Sequence, residues 1–299
     1  MSKTAWIFPG QGSQTVGMGR NLAQKYPQVA NLYAQADAVL GYALSSLCFE
    51  GPEAELTRTD NAQPALLLTS LAHLHVLKNH FAELLDEPPL FVAGHSLGEY
   101  TALVANGVLG FEDALLLVRK RGQLMNEIGQ SGMVAVLGVD EALLEQLADQ
   151  TGVEIANYNS PGQIALSGTL EALAKFSQVA KEVGVKRVMP LSVSAGFHSS
   201  LMRPVADKLA LLIQKTTFQP ASFPLISNVT GQPLDDPQAI QQELISQTYK
   251  AVRWVESVQT MASHGVSRFV EIGAGKILSG LVKRIDKNAE LVNSEDILK

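Results

Sequence analysis

The chain has 299 residues, 46% of them hydrophobic and 17% charged, with a formal net charge of -6, a composition that fits one large globular domain or a domain with an insertion. An acidic balance with no basic stripe argues against nucleic acid, and no apolar run reaches the ~20 residues that span a bilayer. The single Cys48 excludes an internal disulfide, and the six scattered histidines leave no Cys/His spacing suited to zinc, so no metal is expected.

The first segment carries Lys3 but too few apolar residues for a signal peptide, which points to a cytoplasmic protein. A strand is expected over Thr4–Phe8, followed by the Gly-rich loop Pro9-Gly10-Gln11-Gly12-Ser13-Gln14. A phosphate loop fails on the residues: Gly17 precedes Met18 instead of Lys, and Thr15 stands where a dinucleotide loop needs Gly. Such a loop still exposes backbone amides to a ligand, and Gln11 has glycine on both sides. Helical periodicity dominates from Leu22 to Leu77, with Pro64 suited to the first turn of the helix that holds Leu66, Leu67 and Leu71. Cys48, among Leu44, Leu47 and Phe49, reads as a buried structural thiol, and His73, His75 and His80 as structural or surface residues.

The most informative stretch is Phe91-Val92-Ala93-Gly94-His95-Ser96-Leu97-Gly98-Glu99-Tyr100, a serine between two glycines at a strand-to-helix turn. A nucleophile elbow requires this pattern, because the turn is too tight for a Cβ at Gly94 or Gly98. The amide of Leu97 and the positive helix end then lie where an oxyanion would form. A plain Gly-rich turn is the bland alternative. Next, Glu112–Ile128 predicts a helix whose inward stripe is Ala114, Leu117, Val118, Arg121, Leu124, Met125 and Ile128. Arg119 and Lys120 fall off that stripe and are expected in solvent. A guanidinium on an inward face needs an anion: for Arg121, an internal acidic partner and a substrate carboxylate are equally good readings at this point.

From Gly132 the texture becomes β-α-β-β-α-β: strands Met133–Val139, Val153–Tyr158, Gln163–Ser167 and Lys186–Leu191, and helices Glu141–Asp149 and Leu170–Val183. That order predicts a small ferredoxin-like subdomain over 130–195, inserted into a large α/β subdomain formed by 1–129 and 196–299. Larger elements resume with a helix over Ser200–Gln214, a strand at Leu225–Ser227, helices near Ile240 and Val255, a strand over Arg268–Ile272 and a helix over Lys276–Ile285. The alternation implies a mainly parallel sheet.

A serine needs a base. His95 adjoins Ser96, but neighbours on a turn point apart, so it reads as scaffold. His198 stands in a loop before an amphipathic helix, whose dipole would keep the ring neutral and basic. No acid stands out as a third member, leaving a dyad and a triad equally open.

These residues together resemble the malonyl-CoA:acyl-carrier-protein transacylase family of bacterial fatty acid synthesis. The likeness rests on Phe8–Gln14, Gly94–Tyr100, Arg121-Gly122, Asn159-Ser160-Pro161-Gly162-Gln163, Phe197-His198 before Leu201-Met202, and Gly275-Lys276 with Leu281 and Lys283-Arg284. The resemblance implies a hydrolase-like, mainly parallel α/β core carrying the ferredoxin-like insertion. It implies Ser96 as the acylated nucleophile, His198 as its base, and the Gln11 and Leu97 amides as the oxyanion hole. Arg121 would hold the malonyl carboxylate, and the backbone carbonyl of Gln247 would orient the histidine. No cofactor is implied beyond the substrates malonyl-CoA and phosphopantetheinylated carrier protein, and a monomer is expected. The chain departs from the family's frequent prolines at Gly196 and Ala251, and from Gly-Pro-Gly at Gly273-Ala274-Gly275, which loosens loops without removing a reacting group.

Phe197 is open to two readings, a wall against branched acyl groups or ordinary core. The acidic partner, holo acyl carrier protein, would dock on a face drawn from Lys186, Arg187, Arg203, Lys250, Arg253, Lys276, Lys283 and Arg284. Two rivals remain at this level. A serine hydrolase or thioesterase on the same elbow would ordinarily place its histidine late in the chain, where only His264 stands; a non-catalytic carrier-binding protein would not need Ser96, His198 and Arg121.

Overall fold

The computed structural model describes residues 3–85 and 88–298. Numbered in chain order, its strands are β1 (Lys3–Phe8), β2 (Phe91–Gly94), β3 (Ser131–Leu137), β4 (Glu154–Ser160), β5 (Gln163–Thr169), β6 (Val188–Pro190), β7 (Leu225–Ile226), β8 (Pro233–Leu234), β9 (Val252–Arg253), β10 (Val266–Glu271) and β11 (Glu290–Asn293). They form two sheets. The larger has the order β11-β10-β1-β2-β7-β8 and is parallel except for the β7–β8 pair. Its strands are apolar on both faces: Trp6 and Phe8 enter one core, Ala5 and Ile7 the other, as helices on both sides of a parallel sheet demand. Because Phe8 pairs with Gly94 and Ala93 with Ile226, β1, β2 and β7 end at one edge. The loops holding Gln11, Ser96 and Asn228 therefore leave side by side.

The smaller sheet has the order β6-β3-β5-β4-β9. Its side chains alternate by the two-residue period. Val134, Val136, Ile164 and Leu166 pack under the helices Glu141–Thr151 and Leu170–Glu182, while Met133, Ala156 and Ala165 face Leu124, Met125, Phe197 and Met202. Asp140 and Thr169 cap those two helices through side-chain oxygens. β9 joins this sheet parallel to β4 from outside the 130–195 segment, a two-residue strand too short to leave a periodic signal.

Two local expectations are corrected. The helix expected to begin at Pro64 runs over Thr59–His80, with Pro64 inside it. A mid-helix proline frees the carbonyl four residues before it, and here Arg119 Nη1 donates to that Asp60 oxygen at 2.6 Å. The same contact corrects Arg119 itself, which pairs with the Asp60 carboxylate at 3.0 Å and lies over the Tyr42 ring instead of in solvent. Lys120 is exposed and Cys48 is fully buried, as expected.

Candidate active site

Ser96 sits between β2 and the helix Leu97–Ala105 with φ 50° and ψ -105°, a strained conformation held by its surroundings. An added Cβ at Gly94 would lie 1.9 Å from the Gly98 carbonyl carbon, and one at Gly98 would lie 2.0 Å from the Phe8 oxygen. Only glycine permits this turn. A Cβ at Gly10 would meet the His95 oxygen at 2.4 Å, so the Gln11 loop presses directly on the elbow. Leu97 opens the helix, and its amide is among the first-turn N–H groups that have no partner within the helix.

His198 Nε2 lies 2.7 Å from Ser96 Oγ, and its Nδ1 lies 2.7 Å from the Gln247 carbonyl oxygen. A carbonyl only accepts, so Nδ1 carries the hydrogen and Nε2 presents its lone pair to the serine. The ring's pKa is pushed down to about 3, by burial first and by the Arg121 charge second, with the Gln247 carbonyl opposing. The cause differs from the expected helix dipole: the short turn Ser200–Met202 separates His198 from the α-helix Arg203–Ile213. Among the described residues no carboxylate touches Nδ1; the group behind the ring is a peptide carbonyl.

Arg121 is 2% exposed. Its Nη1 donates to Gln63 Oε1 at 2.9 Å, and its Nη2 donates to Gln247 Oε1 at 2.9 Å and to Ser96 Oγ at 3.2 Å, while the buried Nε has no partner. These acceptors are neutral amides and a hydroxyl. Of the two readings left open by the sequence, the internal acidic partner is the one the contacts do not supply. Burial pulls the guanidinium below its usual pKa, the nearby Glu99 carboxyl opposing only in part.

Three residues at the site carry no signal of their own in the sequence. Asn228 Oδ1 accepts from the Ser96 amide at 2.7 Å while its Nδ2 donates to the Gly94 carbonyl at 2.7 Å, clasping both ends of the elbow. Gln63 holds Arg121 from the helix Thr59–His80, and Glu99 accepts from Gln247 Nε2 at 3.0 Å. His95 is scaffold: its Nε2 meets Asn159 Oδ1 at 2.8 Å, tying the elbow to the smaller sheet. His73 is buried against Ser294 Oγ at 2.9 Å, and His264 closes the helix Trp254–Ser263 through the Thr260 carbonyl, its ring against Phe91 at the start of β2. Phe197 packs among Met133, Ala165 and Met202 as core.

The expected basic face divides. Arg203, Lys250 and Arg253 line a cleft of about 460 Å³ that reaches His198. Lys186 and Arg187 line a separate depression beside Leu143 and Val183. Lys276 pairs with Asp296, Lys283 bonds the Lys287 carbonyl and Arg284 bonds Gln163. Among the described residues, no group of three His, Cys, Asp or Glu could hold a metal ion, and no helix is long and apolar enough to cross a membrane.

A serine elbow on a parallel sheet, a carbonyl-backed histidine and a buried cation define an acyl-transferring α/β enzyme. Residues 5–298 match the model of the acyl transferase domain. The chain is 46% identical to the malonyl CoA-acyl carrier protein transacylase of Bacillus subtilis, over 99% of this chain and 94% of that protein. It superposes on a crystal structure of an acyl carrier protein S-malonyltransferase from Vibrio cholerae with TM-score 0.93 at 41% identity, covering 100% of both chains. It matches equally well, at TM-score 0.93 and 40% identity over 98% of this chain and 96% of the other, a malonyl-transacylase in complex with a holo type II PKS acyl-carrier protein. The chain belongs to the malonyl-CoA:acyl-carrier-protein transacylase family of acyltransferases.

Proposed function

We propose that the chain transfers the malonyl group of malonyl-CoA to the phosphopantetheine thiol of holo acyl carrier protein, through a malonyl ester of Ser96. The observation that carries this reading is the 3.2 Å separation of Arg121 Nη2 from Ser96 Oγ. The two carboxyl carbons of malonate are only about 2.5 Å apart, two C–C bonds of about 1.5 Å each. A carboxylate held by Arg121 thus keeps the other carbonyl at the serine, and a longer diacid would be pushed past it. Offering acetyl instead leaves the fork of the buried guanidinium with no anion in contact.

In the first half-reaction, Oγ attacks the thioester carbonyl as its proton passes to His198 Nε2. The amides of Gln11 and Leu97 hold the oxyanion. Collapse breaks the C–S bond, and the CoA sulfur takes the proton from Nε2. In the second half, the pantetheine thiol gives its proton to Nε2, attacks the ester, and Ser96 leaves and recovers the proton: a ping-pong cycle. The Gln247 carbonyl keeps Nδ1 protonated throughout, so Nε2 is always the exchanging atom.

The cleft bordered by Arg203, Lys250 and Arg253 suits the phosphates of CoA and an acidic carrier. A carrier partner is also supported by the solved complex of a relative with its holo acyl-carrier protein. We read residues 1–129 and 196–299 as a hydrolase-like subdomain and 130–195 as a ferredoxin-like one, a reading supported by the order β6-β3-β5-β4. The reaction as written needs no cofactor. Mass spectrometry after mixing with malonyl-CoA tests the proposal: a malonyl adduct on Ser96 that clears on addition of holo carrier protein is expected. Rapid clearance by water alone would make the chain a hydrolase, and absence of an adduct a binder.

A further inference from the structure

Glu99 and Glu243 are fully and almost fully buried beside the site, and the mechanism above uses neither. Glu99 lies on the elbow helix, three residues after the nucleophile. Glu243 lies on the helix Pro237–Gln247, one turn before Gln247. Glu99 Oε1 accepts from the Asn228 backbone amide and from Asn228 Nδ2, each at 3.0 Å, and Oε2 accepts from Gln247 Nε2 at 3.0 Å. Glu243 Oε1 accepts from the next backbone amide, Val229, at 2.9 Å, and the two carboxyls lie within interaction range of one another. All of these donors are neutral.

Two ionised carboxylates share no hydrogen bond; burial raises the pKa of both above the usual range, and the charge of Glu243 raises that of Glu99 further. The other ionisable groups that face them are Arg121, whose charge Glu99 helps to retain, and Tyr100, which stays neutral. A proton held between the two carboxyls would leave one negative charge on the pair.

We propose that Glu99 and Glu243 form a one-proton carboxyl pair that sets the direction of the Gln247 amide, and through it keeps Arg121 aimed at the acyl group. Gln247 is the relay. Its Nε2 donates to Glu99 Oε2 and to the Ser96 carbonyl at 2.7 Å, so its Oε1 is left to receive Arg121 Nη2. The guanidinium thus has a counter-charge one amide away, near enough to stay ionised and not so near as to occupy its fork. Glu99 and Glu243 are positioning residues, and the inference rests on the reading of Arg121 as the carboxylate holder.

The test compares variants by the ratio of malonyl to acetyl acylation of Ser96. In Glu99→Gln the new NH2 group meets a donor whichever way it turns, either Asn228 or Gln247. Gln247 is then driven to turn its own NH2 toward Arg121. The ratio should fall about tenfold or more, as loss of a hydrogen bond to a charged group does. Glu243→Leu should lower it too, by removing the partner of Glu99, and Glu243→Gln should restore it, because its NH2 donates where the shared proton did. Equal losses of malonyl and acetyl transfer in Glu99→Gln, or no rescue by Glu243→Gln, would overturn the proposal. An infrared difference spectrum between the wild-type protein and Glu243→Gln at neutral pH decides the pair without any turnover and without Glu99→Gln having to fold. The wild type should show the C=O stretch of a protonated carboxyl that the variant lacks. Absence of that band refutes the shared proton even if malonyl transfer itself is demonstrated.

Discussion

Arg121 Nη2 lies 3.2 Å from Ser96 Oγ, so the cation assigned to the far end of the acyl group touches the atom assigned to its near end. Truncating one side of a buried charged contact costs about 2–5 kcal/mol, which is roughly 30- to 4,000-fold. Arg121→Ala should lose that much in kcat/KM for malonyl-CoA and far less for acetyl-CoA. Arg121→Lys should not recover it, since an ammonium lacks the planar fork that Gln63 and Gln247 hold. Steady-state rates with both thioesters decide the matter; equal losses would remove Arg121 from carboxylate recognition.

The meeting of Ser96 with His198 was legible in the sequence because each rests on a local rule, the spacing of two glycines around a serine and a histidine in a loop. Arg121 was half legible: the helical stripe placed it inward, but only the neutral partners Gln63 and Gln247 separate a waiting cation from a paired one. Asn228 and Gln63 were not legible. Each acts across strands or helices that meet only in the folded chain, and an Asn in Ser227-Asn228-Val229 or a Gln before Pro64 reads as a turn or a helix filler. The helix Thr59–His80 was misjudged at its start for a related reason: Pro64 ordinarily marks a helix beginning, and its cost is relieved by Arg119, nearly sixty residues on in the chain.

With His198 as the proposed base, its lowered pKa should set the acid limb of the reaction. A ring whose pKa is pushed to about 3 stays a competent base well below the ordinary imidazole value of about 6.5. Rapid-quench malonylation of Ser96 should therefore stay level as pH falls through 6 and 5, given an intact fold. Arg121→Ala removes the second cause of the shift, so its acid limb should move upward. A wild-type limb near the ordinary imidazole value would contradict the burial argument.

The same shift works against stability in acid. Below about 6.5 the unfolded imidazole takes up a proton that folded His198 refuses until about 3. That contribution to stability is present above the unfolded value and is lost as pH falls through the window, at about 1.4 kcal/mol per pH unit for one proton. His198→Ala should show a shallower loss of Tm with falling pH across this range. Parallel wild-type and variant curves would mean that the ring titrates normally when folded.

Asn228 tests whether the elbow needs support from a neighbouring strand. Its Oδ1 holds the Ser96 amide and its Nδ2 holds the Gly94 carbonyl, both at 2.7 Å, so Asn228→Ala unpairs buried groups on both sides of the strained serine. A loss of about 1–3 kcal/mol is expected, read either as stability or as roughly 5- to 150-fold in kcat. Asn228→Asp keeps the acceptor for Ser96 but turns a carboxylate oxygen toward Gly94 and Glu99, and should be no better. An unchanged kcat in both variants would leave the elbow self-supporting.

Glycine at 94 and 98 is required by contact, not merely by backbone freedom. A methyl group would lie 1.9 Å from the Gly98 carbonyl carbon in one case and 2.0 Å from the Phe8 oxygen in the other, and backbone on both sides cannot move aside as a flexible side chain would. Gly94→Ala and Gly98→Ala should each lose about 3 kcal/mol or more in urea unfolding, in the manner of severe overpacking. Gly41→Ala supplies the contrast. Its φ is 72° but nothing lies within 4 Å of an added Cβ, so only the left-handed strain of about 1–2 kcal/mol applies. If all three variants lost the same amount, the crowding at the elbow would be relieved by a backbone shift, and the strained serine would depend on something other than the fit of strand against helix.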